Sequence, residues 1–128
     1  MSVSNREVAA AACLEAIDGA FFRALAEPAR VAILRTLILQ GRSDVGTVAS
    51  HAPHDRSVTT RHLRVLEAAG LVRSTREGRH TFYELDGAGA LAQLESLVAM
   101  FKAIAPACCP AQPTRSEKER KPGLRPVR

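Results

Sequence analysis

The chain has 128 residues, the length of a single domain, and is 46% hydrophobic and 24% charged, as is ordinary for a globular protein. Three cysteines, an odd number, exclude a full disulfide framework. No run of 18 or more apolar residues occurs, so we expect no membrane-spanning segment. The N-terminal stretch lacks the order of a signal peptide, so we expect a cytoplasmic protein with reduced thiols.

The net charge of +5 is concentrated at the C-terminus. Residues 111–128 contain six Lys/Arg and two Glu, which leaves residues 1–110 at about +1. This segment has three prolines and almost no large apolar residues, so we expect a disordered basic tail (111–128) after one folded domain (1–110). Because the folded part is nearly neutral, only a local basic patch could indicate a nucleic-acid partner.

Two helices are predicted at the start of the chain. The first covers NREVAAAACLEAIDGAFFRALA, residues 5–26, where apolar residues recur at helical spacing. The second covers EPARVAILRTLILQG, residues 27–41, with Pro28 in its first turn and Gly41 at its end. Its wide apolar stripe predicts a core helix, with these residues facing inward: Val31, Ile33, Leu34, Leu37 and Ile38.

A helix-turn-helix pattern follows. The first helix lies within SDVGTVASHAP, residues 43–53, and the second within HDRSVTTRHLRVLEAAG, residues 54–70. Asp55 or Ser57 can cap the second helix, and Gly70 can end it. Its buried face is predicted to contain Thr59, Leu63 and Leu66.

Residues 71–86, LVRSTREGRHTFYELD, change to strand-forming residues around a glycine turn, which predicts a β-hairpin with a basic tip. Residues 87–107 return to helical spacing, and we expect Pro106 to end this last helix. The predicted fold is therefore mainly α with a small β-hairpin, in the order α-α-α-α-β-β-α.

A basic patch is predicted on the second helix of the helix-turn-helix and on the hairpin tip. At 100° per residue, the side opposite Leu63 carries Arg, Ser and Thr with no acid between 56 and 66, which suits contacts with phosphates and base edges. The hairpin could then lie along the DNA backbone or the minor groove. The candidate DNA-binding residues are Arg56, Ser57, Thr60, Arg61, His62, Arg64, Arg76, Arg79 and His80.

Three blocks, LAEPARVAILRTL, SVTTRHLRVLEAAGLV and REGRHTFYELD, resemble the ArsR/SmtB family of winged-helix repressors over about residues 20–86. The resemblance implies a winged helix-turn-helix fold, a homodimer formed by the first and last helices, and double-stranded operator DNA as partner. It also implies repression that is relieved by an inducer, usually a metal or metalloid ion.

Two sensor sites known in that family are missing from this sequence. No cysteine pair opens the helix before the recognition helix, and residues 87–105 contain only Glu95 as an acid and no histidine. The cysteines that remain are Cys13, in the first helix, and Cys108 and Cys109, after the last. If those two helices meet at the dimer interface, as the resemblance implies, the three thiols could converge in one site, in cis or across the dimer.

Three thiolates favour a soft ion. Zinc prefers four ligands, whereas As(III) or Sb(III) takes three sulfurs, so an As(III) inducer fits best. Methylated As(III) needs only two sulfurs, which Cys108 and Cys109 could supply. Hg(II), Cd(II) and Pb(II) also accept three thiolates and stay open.

The same cysteines and histidines allow other interpretations. Cys13 alone is more typical of a small buried apolar residue than of a metal ligand. His51 and His54 are more typical of turn residues than of a pair of metal ligands. The thiols could instead sense persulfide or oxidants. A thiol enzyme or metal carrier is disfavoured because no general base, phosphate loop or cofactor motif accompanies the cysteines, so we expect no enzymatic activity.

Overall fold

The computed structural model describes residues 4–108, with side chains described as far as Pro106. The proposed 111–128 tail and Cys109 lie outside this range. Helix α1 covers Asn5–Ile17 and α2 covers Ala20–Leu25, so the single first helix predicted from sequence is two helices. Asp18 is the C-cap of α1, and Gly19, in an extended conformation, is the N-cap of α2. The helix is interrupted here because glycine has a low helix propensity.

Helix α3, Pro28–Gln40, begins and ends as predicted, with Pro28 in the first turn and Gly41 at φ 76° after the last. Ile33, Leu34 and Leu37 are buried, but Val31 and Ile38 are exposed, so the predicted core stripe was too wide. At 100° per residue these two lie about a quarter turn from the buried face. Only one side of α3 meets the core.

The helix-turn-helix consists of α4, Val45–Ser50, and α5, Arg56–Ala68. The carboxylate of Asp44 accepts a hydrogen bond from the Thr47 amide at 2.9 Å, and Asp55 accepts one from the Val58 amide at 2.9 Å, so each helix has an acidic N-cap. The predicted buried face of α5, formed by Thr59, Leu63 and Leu66, is confirmed.

Strands β2, Val72–Glu77, and β3, His80–Leu85, form the predicted hairpin. Gly78 has a φ of 60°, which suits the first turn position of a two-residue loop. A third strand, β1, was not predicted: Ser43–Asp44 pairs antiparallel with Tyr83 and Phe82, giving the order β1-β3-β2. Two residues are too few to show an alternating pattern, which is why the sequence did not indicate this strand.

The last helix, α6, covers Gly87–Cys108, so the prediction that Pro106 ends it was wrong. A proline near the end of a helix loses the hydrogen bond that its nitrogen would have donated and crowds the carbonyl group four residues earlier. Its fixed φ of about −65° is nevertheless helical, so the last residues of the turn can stay in the helix. Cys108 is therefore the last residue of α6 rather than part of a loop after it.

The core joins α2–α5 and the base of the sheet, with Ala24, Ile33, Val48, Leu63, Leu66 and Val72 among its buried residues. Helix α1 packs mainly against α6, outside this cluster. By length and composition alone, the segment Gly87–Pro106 is apolar enough to cross a membrane, and none of it is buried. The absence of a run of 18 continuous apolar residues had predicted no such segment. Leu91, Leu94, Val98 and Phe101 on its surface are equally the side chains that a helical protein interface needs.

The hydroxyl of Thr59 is fully buried and has no hydrogen-bond partner among the described residues. A buried polar atom without a partner is destabilising, and valine has the same shape without the hydroxyl. We expect Thr59→Val to raise the free energy of unfolding by about 1 kcal/mol, measured by urea denaturation.

Thr60→Val is the matched control, because the Thr60 hydroxyl donates a hydrogen bond to the Arg56 carbonyl oxygen at 2.8 Å and should give no such gain. A lower stability of Thr59→Val than of the parent chain would contradict the prediction.

Candidate DNA-binding surface and thiol site

The solvent face of α5 carries most of the predicted DNA-binding residues. Arg56, Ser57, Arg61 and Arg64 are exposed, and Thr60 is half-buried. Thr59, Leu63 and Leu66 hold the opposite face of α5 in the core. The predicted DNA-binding side chains therefore point outward. The structure therefore brings them together in one strip along α5.

His62 lies at the edge of this strip. Its Nδ1 atom is enclosed without a partner among the described residues, and its ring centroid lies 5.8 Å from that of His54. Burial lowers the pKa of His62, and the neighbouring Arg30 and His54 lower it further against a smaller opposing effect of Glu27. The lowered pKa favours the neutral form of the His62 imidazole, and the ring is partly buried, so only its outer edge is available to DNA.

The wing, β2 and β3, separates its predicted residues. Arg76 pairs with Thr81 and, by alternation, shares the face of buried Val72 and Tyr83, which is the face turned toward α5. Arg79 is in the turn. His80 is on the outer face, where its Nδ1 atom lies 3.9 Å from the carboxylate of Asp44. Arg76 and Arg79 can therefore act with α5, whereas His80 is directed to the other side of the wing.

Ion pairs divide the arginines of this region into two groups. Arg42 pairs with Glu77 at 2.7 Å and Arg73 with Glu84 at 3.0 Å. Five others have no carboxylate within 4 Å among the described residues, and they lie on α5 and on the inner face or tip of the wing: Arg56, Arg61, Arg64, Arg76 and Arg79. Their charge is thus available to a polyanion, which the net charge of the domain does not reveal.

Two supporting residues were missed by sequence reasoning. Arg30 donates to the carbonyl oxygens of Ala24 at 2.8 Å and Arg23 at 3.1 Å, and so closes the end of α2. Gln93 on α6 donates to the carbonyl oxygen of Ala69, at the end of α5, at 2.8 Å. The available signal for Gln93 was a single amide among the apolar residues of the last helix.

A cavity of about 280 Å³ lies beside Gln93, where the last turn of α1 and the end of α5 face α6. Ala16 of α1 and Ser96 and Met100 of α6 are among its lining residues. The last turn of α1 therefore lies against the middle of α6.

Cys13 is a buried free thiol, 7% exposed, on α1. It lies on the helix that packs against α6, and Cys108 is the last residue of α6. Within the described side chains, no group of three His, Cys, Asp or Glu residues could hold a metal ion. The convergence of Cys13 with Cys108 and Cys109 thus stays a prediction.

No family model matches the chain. It is 39% identical over 82 residues to the HTH-type transcriptional regulator CmtR of Mycobacterium tuberculosis, which covers 64% of this chain and 69% of CmtR. A cadmium resistance regulatory protein CadC homolog of Staphylococcus aureus is 34% identical over 65 residues, 51% of this chain and 54% of the homolog.

Solved structures agree with these relatives. A possible transcriptional regulator for arsenical resistance has 36% identity and a TM-score of 0.53, covering 71% of this chain and 95% of its own. A homodimeric winged helix-turn-helix domain from Mycobacterium bovis, a possible ArsR-family regulator, has 27% identity and a TM-score of 0.53, covering 81% and 91%. The chain belongs to the ArsR/SmtB family.

As an ArsR/SmtB-family protein, the chain is a winged helix-turn-helix transcriptional regulator and not an enzyme. The predicted family and fold class are confirmed. In helix-turn-helix regulators the second helix of the motif is the recognition helix and lies in the major groove, and in this chain that helix is α5.

The division of the arginines predicts which ones bind operator DNA. We expect Arg61→Ala to weaken operator binding about tenfold, and to reduce the slope of log K against log salt concentration by about 1, because one phosphate contact is lost. Fluorescence anisotropy of a labelled operator between 50 and about 200 mM salt measures both quantities.

Arg73→Ala is the control, since Glu84 already neutralises Arg73. Equal losses for Arg61→Ala and Arg73→Ala would show that pairing does not decide which arginines contact DNA.

Proposed function

We propose that this protein is a homodimeric repressor that binds operator DNA in its apo form and leaves it when a thiophilic ion, As(III) in the first place, binds its cysteines. The observation that carries the DNA-binding part is the strip of unpaired arginines on α5 and the wing. The relatives named for cadmium and arsenical resistance support a metal or metalloid inducer.

The proposed dimer would use α1 and α6. Both helices expose apolar side chains outside the core: Val8, Leu14 and Ile17 on α1, and Leu91, Leu94, Val98 and Phe101 on α6. Exposed apolar residues on two adjacent helices are typical of a protein–protein interface, where a partner shields them from water. The homodimeric neighbour supports the same assembly for this chain.

The proposed inducer site contains Cys108 and Cys109, with Cys13 as a third thiolate. Adjacent cysteines chelate well, because the second sulfur binds at a high effective concentration once the first is bound. Cys13 lies on a different helix from Cys108, so its participation depends on how closely α1 approaches the end of α6. As(III) and Sb(III) need three sulfurs, and methylated As(III) only two, so the contribution of Cys13 decides among these ions.

The proposed signal would pass along α6. Its last residue is Cys108, and one of its middle residues, Gln93, holds the carbonyl oxygen of Ala69 at the end of α5. An ion that displaces α6 would change this hydrogen bond and so the position of the recognition helix. A typical allosteric coupling free energy of about 1–3 kcal/mol corresponds to a change in DNA affinity of about 5–150-fold.

Arsenite should release the protein from its operator. We expect arsenite to lower operator affinity at least fivefold, and we expect Cys108→Ser and Cys109→Ser to abolish this response without changing the apo affinity. Operator anisotropy during a titration with arsenite measures the release, and methylated arsenite, Sb(III), Cd(II), Pb(II) and Hg(II) are compared in the same assay.

Cys13→Ser serves as the discriminating variant. A lost arsenite response with a retained methylated-arsenite response indicates three sulfurs for As(III). Release by Cd(II) or Pb(II) without release by arsenite would overturn the choice of As(III) but not the thiol site.

Gln93→Leu tests the coupling route. We expect arsenite binding to be unchanged and the ratio of apo to arsenite-bound operator affinity to fall by about threefold or more, since one hydrogen bond contributes about 0.5–1.5 kcal/mol. Isothermal titration and operator anisotropy measure the two quantities.

Ser96→Ala is the control, because Ser96 lines the same cavity but, among the described hydrogen bonds, donates none to the carbonyl oxygen of Ala69. An unaltered affinity ratio in Gln93→Leu would exclude this hydrogen bond from the signal.

An oxidant or persulfide response of the same thiols is the second candidate, because Cys13 is a free thiol on α1, the helix that packs against α6. Mass spectrometry after polysulfide treatment distinguishes it. A sulfur bridge between Cys13 and one of the other cysteines, together with loss of DNA binding, would support it over the ion.

A further inference from the structure

Arg42 joins both strands of the wing from outside. It lies in the connection between α3 and β1, and its guanidinium carbon is 4.1 Å from the centroid of the Phe82 ring on β3. Its Nη2 atom is 2.7 Å from the Glu77 carboxylate, at the end of β2. A planar guanidinium can stack on an aromatic ring and donate to a carboxylate at the same time, which the lysine ammonium cannot do equally well.

The same connection also holds the helix-turn-helix. Asp44, two residues after Arg42, caps α4, and hydrogen bonds from Thr47 lower the pKa of its carboxyl group, helped by the charges of His80 and Arg56. Ser43 and Asp44 pair with β3. Residues 42–44 thus connect the wing to the first helix of the DNA-binding motif.

Beyond its base, the wing has little else to fix its direction. Every β2 residue after Val72 is exposed, and in β3 only Tyr83 is buried. A two-stranded ribbon without a packed face is marginally stable in water. Contacts on its outer face therefore decide the angle at which Arg76 and Arg79 are presented.

We propose that Arg42 is a positioning residue for DNA binding, which fixes the wing relative to the recognition helix and does not itself contact phosphate. This rests on the proposed operator binding. The Arg42 side chain is 35% exposed and its charge is compensated by Glu77. Through its stack on Phe82 it lies on the outer face of the wing, whereas Arg76 is on the inner face.

A double-mutant cycle with the wing arginines separates positioning from direct contact. We expect Arg42→Ala to weaken operator binding about fivefold in the parent chain. In an Arg76→Ala/Arg79→Ala background it should have almost no effect, because Arg42 acts through those residues. An equal loss in both backgrounds would overturn the proposal, as would no loss in the parent.

Two further variants test the positioning role while the positive charge at position 42 is retained. Phe82→Leu removes the stack but leaves every charge in place, so positioning predicts a similar loss of affinity and direct phosphate contact predicts none. Arg42→Lys should recover part of the affinity through Glu77. Thermal unfolding and sedimentation establish that each variant is folded and has the parent's oligomeric state.

The Arg61→Ala variant is measured in the same series. If the parent chain does not bind operator DNA, the proposed function fails. If the parent binds and Arg61→Ala weakens binding while the Arg42 cycle is additive, only the positioning role fails.

Discussion

The burial of Leu63 and Leu66 fixes the rotation of α5 about its axis, and the rest of the DNA-binding surface depends on it. Both side chains are completely buried between α3, α4 and the base of the sheet. A rotation of α5 of about 100° that put Arg64 and Glu67 in the places of Leu63 and Leu66 would bring charged side chains into the core at a cost of several kcal/mol. The core therefore determines which residues of the recognition helix meet DNA.

Local charge compensation then divides the basic residues of that surface. Arg42 and Arg73 are paired on the outer face of the wing, whereas Arg61, Arg64 and Arg76 have no carboxylate within 4 Å in the described part of the chain. The carboxylates that balance the charge of the domain lie beside Arg42 and Arg73, so the arginines of α5 and the inner face of the wing still form a basic surface on one side. This explains how a domain with a net charge of about +1 can bind a polyanion.

The sequence was most informative where a local rule determines the structure. Proline and glycine positions gave both ends of α3, and the period of α5 gave its buried face. The sequence was least informative where the outcome depends on contacts between distant residues. Strand β1 exists only because β3 offers it a partner, and Gln93 acquires a role only because the end of α5 lies beside it. The thiol site belongs to this second class.

The continuation of α6 through Pro106 changes how an ion at its end would act. The sequence predicted that the helix ends at Pro106 and that Cys108 follows it, whereas the structure has Cys108 in the helix itself. Gln93 and Cys108 are 15 residues apart, or about 22 Å along a continuous helix. A helix transmits a rotation or shift over that distance with little loss, whereas a loop absorbs it in its backbone dihedral angles. An ion bound at Cys108 would therefore act on the end of the recognition helix by moving α6 as one body.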